Sequence, residues 1–290
     1  MNIALCMSGQ MRSLAQCAST IRRHLIEPLE AGGKNRVDLF VHAAADEDAD
    51  SALLLDPKIL HVEAQPWFDE KKYALRLGRG CVGIQSVLRQ LWSIKKANEL
   101  KRRHAASRGF RYDYSFRLRP DTEFVQGPLE AFGVEPGKRG VFIPKFSNWY
   151  GLNDRFAWGS DVEMDLYSNR LDALDDYIAA GGVFHPESFL FWTLAIRRVP
   201  ILRSSAAFFT LRKNGDRVLP DFHSEYRETI ACYPAPQKDC LDVRDLPDMP
   251  CLGEGKPSAL WRGPELVRMV AAPAPAAPAA TPVAEPIATG

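Results

Sequence analysis

No hydrophobic run in this 290-residue chain approaches the length needed to cross a bilayer. Nor is there a C-x-x-C pair. The six cysteines, at positions 6, 17, 81, 232, 240 and 251, are scattered, which fits reduced thiols better than a disulfide scaffold or a zinc site. A surplus of charge is missing too. Thirty-seven Lys and Arg stand against 36 Asp and Glu, net +1, so no global field draws the chain to nucleic acid or to a membrane. The P-loop pattern G-x-x-x-x-G-K-[ST] does not occur. The opening MNIALCMSGQMRS has no basic stretch followed by a longer apolar core, so no signal peptide is expected. Together these absences predict a cytoplasmic protein with no transmembrane segment and no nucleic-acid partner.

What is present is an ordinary globular composition, 46% hydrophobic and 25% charged. Apolar runs at 2–7, 37–42 and 58–63 read as strands. Helical spacing follows the first run, with Leu14, Cys17, Ala18, Ile21 and Leu25 on one face, and recurs from Ile84 to about residue 105. In that second helix Gln85, Gln90 and Trp92 read as packing and surface groups. Further short strands are expected at 140–143, 155–158, 199–202 and 208–211. Ser160, with Glu163 three residues on, is a capping box opening a helix that Gly181 and Gly182 stop. His185-Pro186-Glu187 opens another, with proline at the first helical position. This alternation predicts an α/β fold, a mostly parallel central sheet flanked by helices, as one domain over 1–270. The Ala/Pro-rich stretch 271–290 cannot bury a core and is expected to be disordered.

Two places invite chemistry. At 112–123, YDYSFRLRPDTE, apolar and polar residues alternate until Pro120 stops the strand, which puts Asp121 just past a strand's C-terminal end. Ligands of open α/β sheets bind at that edge. A hard divalent cation with a diphosphate needs only one or two protein carboxylates. Arg117 and Arg119 alternate onto one side there, to serve phosphates or to pair with acids. The second place is Ser8-Gly9-Gln10, a turn between strand and helix whose backbone N–H groups can hold an anion. Arg12, poorly placed for the helix dipole, faces either such an anion or a surface acid.

Several segments then line up, in order, with a known family. IALCMSGQMRS, QLWSIKKA from Gln90, YDYSFRLRPD, GLNDRFAWGS and HPESFL resemble bacterial and phage proteins with a glycosyltransferase A-type fold, over most of residues 2–212. The resemblance implies transfer of a sugar from a nucleotide-diphosphate donor; a hydroxyl of a glycan-type acceptor is the expected recipient. It implies Mg²⁺ or Mn²⁺ at the acidic motif after the central strand, matched by Arg119-Pro120-Asp121 with Glu123 as second acid. Donor phosphates would fall to Ser8, Gly9, Gln10, Arg12, Arg117 and Arg119. The base that deprotonates the acceptor would be Glu187 or Asp154, although Glu187 in a first helical turn also has an ordinary dipole-stabilising reading. Two alternatives remain: a sugar nucleotidyltransferase, which lacks its Gly-rich, lysine-bearing loop here, and a non-catalytic carbohydrate- or partner-binding module.

Overall fold

The six residues from Ile3 to Ser8 are buried without interruption, as a strand covered on both faces requires. They form the middle of β1 (Asn2–Gly9), around which a computed structural model arranges the remaining elements. It describes residues 1–74, 83–149, 151–218 and 240–241. The expected disordered stretch at 271–290 lies outside them.

The other strands are β2 (Arg36–Ala44), β3 (Ile59–Glu63), β4 (Tyr114–Leu118), β5 (Thr122–Gln126), β6 (Val141–Pro144), β7 (Ala157–Ser160), β8 (Ile201–Ser204), β9 (Ala207–Leu211) and β10 (Arg217–Val218). Seven of them make the main sheet in the order β8-β6-β7-β4-β1-β2-β3. Its pairings are parallel except those of β7, which runs against both β4 and β6. Cys240–Leu241 adds a short antiparallel pairing outside β8. β10, β9 and β5 form a second, antiparallel sheet. The fold is therefore α/β with a mixed, mostly parallel sheet and a small antiparallel one.

Helices cover the main sheet. α1 (Leu14–Ile21) passes through a π turn at Arg22–Ile26 into α2 (Glu27–Glu30), and α3 (Lys71–Ala74) is a single turn. α4 (Ile84–Arg108) is the long amphipathic helix, burying Ile84, Val87, Leu88, Leu91 and Ile94. The helix expected after Ser160 begins as read, the Ser160 hydroxyl accepting from the Glu163 N–H. It does not run unbroken to Gly181. α5 (Asp161–Ser168) ends at Asn169, where φ −88° and ψ 12° leave the helical region, and a 3₁₀ turn at Arg170–Ala173 precedes α6 (Leu174–Ala179). Asparagine competes with its own backbone for hydrogen bonds, and the Arg170 side chain turns inward to full burial. α7 (Pro186–Ile196) starts at its proline.

The two sheets share one apolar core. Phe142 stacks on Trp158 with ring centroids 3.8 Å apart within the main sheet. Phe124 of β5 and Phe208 of β9 meet Phe156 beside β7, at 5.4 Å and 6.2 Å. β5 is a strand that the sequence reading does not contain. Chain leaving β4 at Leu118 crosses Arg119-Pro120-Asp121 and enters the second sheet at once. That crossing is where the functional side chains collect.

Candidate functional site

A cleft of about 590 Å³ opens at the C-terminal ends of β1 and β4. β2 lies on one side of β1 and β4 on the other, so the chain's connections diverge from this point, the usual ligand position in an open α/β sheet. Gln10, Arg12 and Ser13 reach the cleft from the turn after β1, Arg119 and Asp121 from the crossing after β4. Trp149, Asp154 and Arg155 come from the segment before β7, and His185 and Glu187 from the start of α7. Ser86 and Gln90 project from the first turns of α4, while Arg212 and Lys213 follow β9.

Of the residues expected at a site, Gln10, Arg12, Arg119, Asp121, Asp154 and Glu187 are thus brought together. Ser8, Gly9, Arg117 and Glu123 do not line the cleft. Ser8 is buried at the end of β1, its hydroxyl without a hydrogen-bond partner. Gly9 has φ +125°, a conformation side chains avoid, and lets the chain turn out of the sheet. Arg117 is buried inside β4, where Nη1 donates to the Leu118 carbonyl and Nε has no partner; burial pushes its guanidinium down to about 10. Strand alternation does not carry both arginines to one place, because β4 ends between them.

Asp121 is held by its neighbour but one. Arg119 Nε donates to Oδ1 at 2.8 Å and Nη2 to Oδ2 at 2.6 Å. Burial alone would raise the Asp121 carboxyl; the charge and hydrogen bonds of Arg119 outweigh it and hold it below the ordinary value. Burial likewise opposes the charge on Arg119, and Asp121 outweighs it in turn. Glu123 makes its own fork with Arg217, at 2.6 Å and 2.8 Å, on the second sheet. The two acids are therefore not assembled as a pair. Among the described residues no group of three His, Cys, Asp or Glu could hold a metal ion. Asp121 and Glu123 therefore do not form a paired ligand set for Mg²⁺ or Mn²⁺.

Across the cleft, Gln90 Nε2 donates to Asp154 Oδ2 at 2.6 Å. Glu187 is 5% exposed, and burial, reinforced by the charge on Asp154, raises its carboxyl well above the ordinary value. Burial pushes the His185 imidazole down to about 4. Nδ1 of His185 lies 3.3 Å from Glu187 Oε2. Burial works against the charged form of each group at that contact. Arg155 lays its guanidinium over the Trp149 ring, 4.3 Å from the centroid.

The segment carrying Asp154 is stitched onto α7. The Leu152 N–H donates to the Glu187 carbonyl at 3.1 Å, and a Cβ at Gly151 would fall 2.1 Å from that same oxygen. Only glycine lets the two chains approach so closely. Asn153 closes the loop, its side chain donating to the Phe146 carbonyl and its N–H to Asn148.

The chemistry on offer is anion binding beside the two carboxyls of Asp154 and Glu187. A family described as "Domain of unknown function (DUF7796)" matches residues 1–219. The chain belongs to this family. Its span takes in every residue that lines the cleft. No curated protein matches the chain.

Gln90, Trp149, Arg155, His185, Arg212 and Lys213 are site residues that the sequence reading leaves out. Gln90 stands one helical turn after Ser86, and that i, i+4 spacing at the start of α4 is a signal it could have used. Arg155 sits next to Asp154 in sequence. For Arg212 and Lys213 there is no periodic signal, since they reach the cleft only through the pairing of β9 with β5.

Proposed function

We propose that the cleft is the active site of a glycosyltransferase that takes a nucleotide-diphosphate sugar as donor and a hydroxyl-bearing acceptor. The observation that carries this reading is the arrangement at the sheet edge. Arg12, Arg119, Arg155 and Arg212 line one cleft with Asp154 and Glu187. A leaving nucleoside diphosphate needs positive charge, and an attacking hydroxyl needs a proton acceptor. Both are at hand. The mostly parallel sheet with its second small sheet is also in keeping with the A-type fold that the sequence resembles.

In direct displacement the acceptor oxygen bonds to the anomeric carbon as that carbon's bond to the diphosphate oxygen breaks. The electron pair leaves with the diphosphate, and the hydroxyl proton passes to a base. Asp154, whose orientation the Gln90 amide fixes, takes the proton, while burial and the charge on Asp154 raise the Glu187 carboxyl and leave it the poorer base. The acceptor thereby attacks from the side opposite the diphosphate and the anomeric centre is inverted.

The full-length protein incubated with UDP- and GDP-sugars is expected to release the nucleoside diphosphate. Release of pyrophosphate instead would make it a sugar nucleotidyltransferase. Binding with no turnover under any acceptor tried would make it a recognition module.

A further inference from the structure

Resting on the donor-site reading above, we propose that guanidinium side chains neutralise the diphosphate without a divalent cation, with Asp121 positioning Arg119 and not ligating metal. A carboxylate contributes most to a cation when no neighbouring group has already neutralised its charge. Both oxygens of Asp121 are taken by the Arg119 fork, at 2.8 Å and 2.6 Å. A cation placed there would have to share a carboxylate whose charge Arg119 already neutralises through two charge-assisted bonds. The acid that could share the load, Glu123, is equally engaged by Arg217.

The fork has a second consequence. A guanidinium carries five N–H donors in a rigid plane. Asp121 takes two of them and fixes the plane; the other three meet no acceptor among the described residues. They are free for phosphate oxygens, which arginine grips in the same bidentate way as carboxylate. Arg155 lines the same cleft with its guanidinium stacked on Trp149, and that guanidinium too donates to no acceptor among the described residues. Burial and the nearby charge of Arg119 work against its own charge and outweigh the support it has from Asp154, Glu187 and Asp121. Arg12 and Arg212 complete the set, again without an acidic partner among the described residues. Four guanidiniums thus face one space and only one of them has a carboxylate. Partly buried like charges repel at a cost that a multiply charged anion relieves and that an added cation increases. The site is built for the anion alone.

The test is calorimetric titration of the full-length protein with UDP and with GDP, in EDTA and in Mn²⁺. The clamp predicts binding in EDTA with Kd within tenfold of that in Mn²⁺. Tightening of tenfold or more by Mn²⁺ overturns it and leaves the donor site standing. Binding of neither nucleotide under either condition sinks the donor site and the clamp with it. Asp121→Asn keeps the shape but loses the charged fork, and is expected to weaken binding in EDTA at least tenfold and to lower the thermal midpoint, since Arg119 loses its counter-charge. Unaltered affinity in that variant would remove Asp121 from the positioning role. The wild-type comparison decides the cation question whether or not the variant folds.

Discussion

Glu187 and His185 are ionisable groups held neutral two residues apart, and each leaves a mark on stability. The groups facing Glu187 are Asp154, Arg155, Arg119 and His185. Its native carboxyl titrates well above the ordinary value, while the unfolded chain releases that proton near about pH 4.3. Between those points the native state holds a proton that the unfolded state has lost, so stability falls as pH rises, and the fall ends above the native value. His185 acts in the opposite sense. From about 6.5 down to about 4 the unfolded imidazole binds a proton that the native one does not, and stability falls as pH falls. Glu187→Gln removes only the first effect. Its advantage over wild type is expected to grow by about 1.4 kcal/mol per pH unit above about pH 4.3, read from urea unfolding at a series of pH values. A constant difference would show that Glu187 ionises freely in the native state. Asp154→Asn, in contrast, should leave UDP or GDP binding in place and reduce turnover by about 10²–10⁴-fold. A loss smaller than tenfold would move the base elsewhere.

At the scale of elements the site depends on how the segment before β7 meets α7. Gly151 packs its backbone against the Glu187 carbonyl, the Glu187 carbonyl carbon and the Ser188 nitrogen, all within 2.5 Å of where a Cβ would be. None is the end of a flexible side chain, so Gly151→Ala must part loop from helix. A loss of about 1–3 kcal/mol is expected from chemical unfolding, with turnover falling more steeply than nucleotide binding because Asp154 and Glu187 separate. Stability equal to wild type would mean that the contact is dispensable. Elements of this kind also mark where the sequence stops being readable. β1 is a continuous apolar run, β4 alternates, and α4 repeats its apolar face over 25 residues, so all three are legible from local pattern. β5 is not. TEFVQ is short, follows Pro120-Asp121 and finds its partner, β9, more than 80 residues on. The fate of Glu123 hung on that pairing, because Arg217, 94 residues away, is what claims its carboxylate. Asp121 was legible as a residue at a strand end; its fork with Arg119 was not, since adjacency in sequence does not say which way a side chain turns.

For the whole molecule, alternating strands and helices announced the α/β class, but not the reversed strand β7 or the second sheet, both built from runs of two to five residues whose direction only tertiary pairing sets. The aromatic residues explain why the second sheet is no appendage. Phe208 of β9 lies 5.7 Å from Phe124, 4.9 Å from Phe146 and 6.2 Å from Phe156, so a single ring touches β5, the segment after β6 and the approach to β7. The same apolar cluster runs on through Phe116 and Trp158 to Leu5 of β1. With no polar layer between the sheets, they are expected to unfold together. Phe208→Ala, which opens a cavity in that shared core, should cost about 3–5 kcal/mol. Far-ultraviolet and near-ultraviolet circular dichroism should both follow one transition, displaced to lower urea by the same amount. If near-ultraviolet signal were lost early while the far-ultraviolet midpoint stayed at the wild-type value, the second sheet would be a separate unit. Arg212 and Lys213, which reach the cleft after β9, would then be tethered to the site and not built into it.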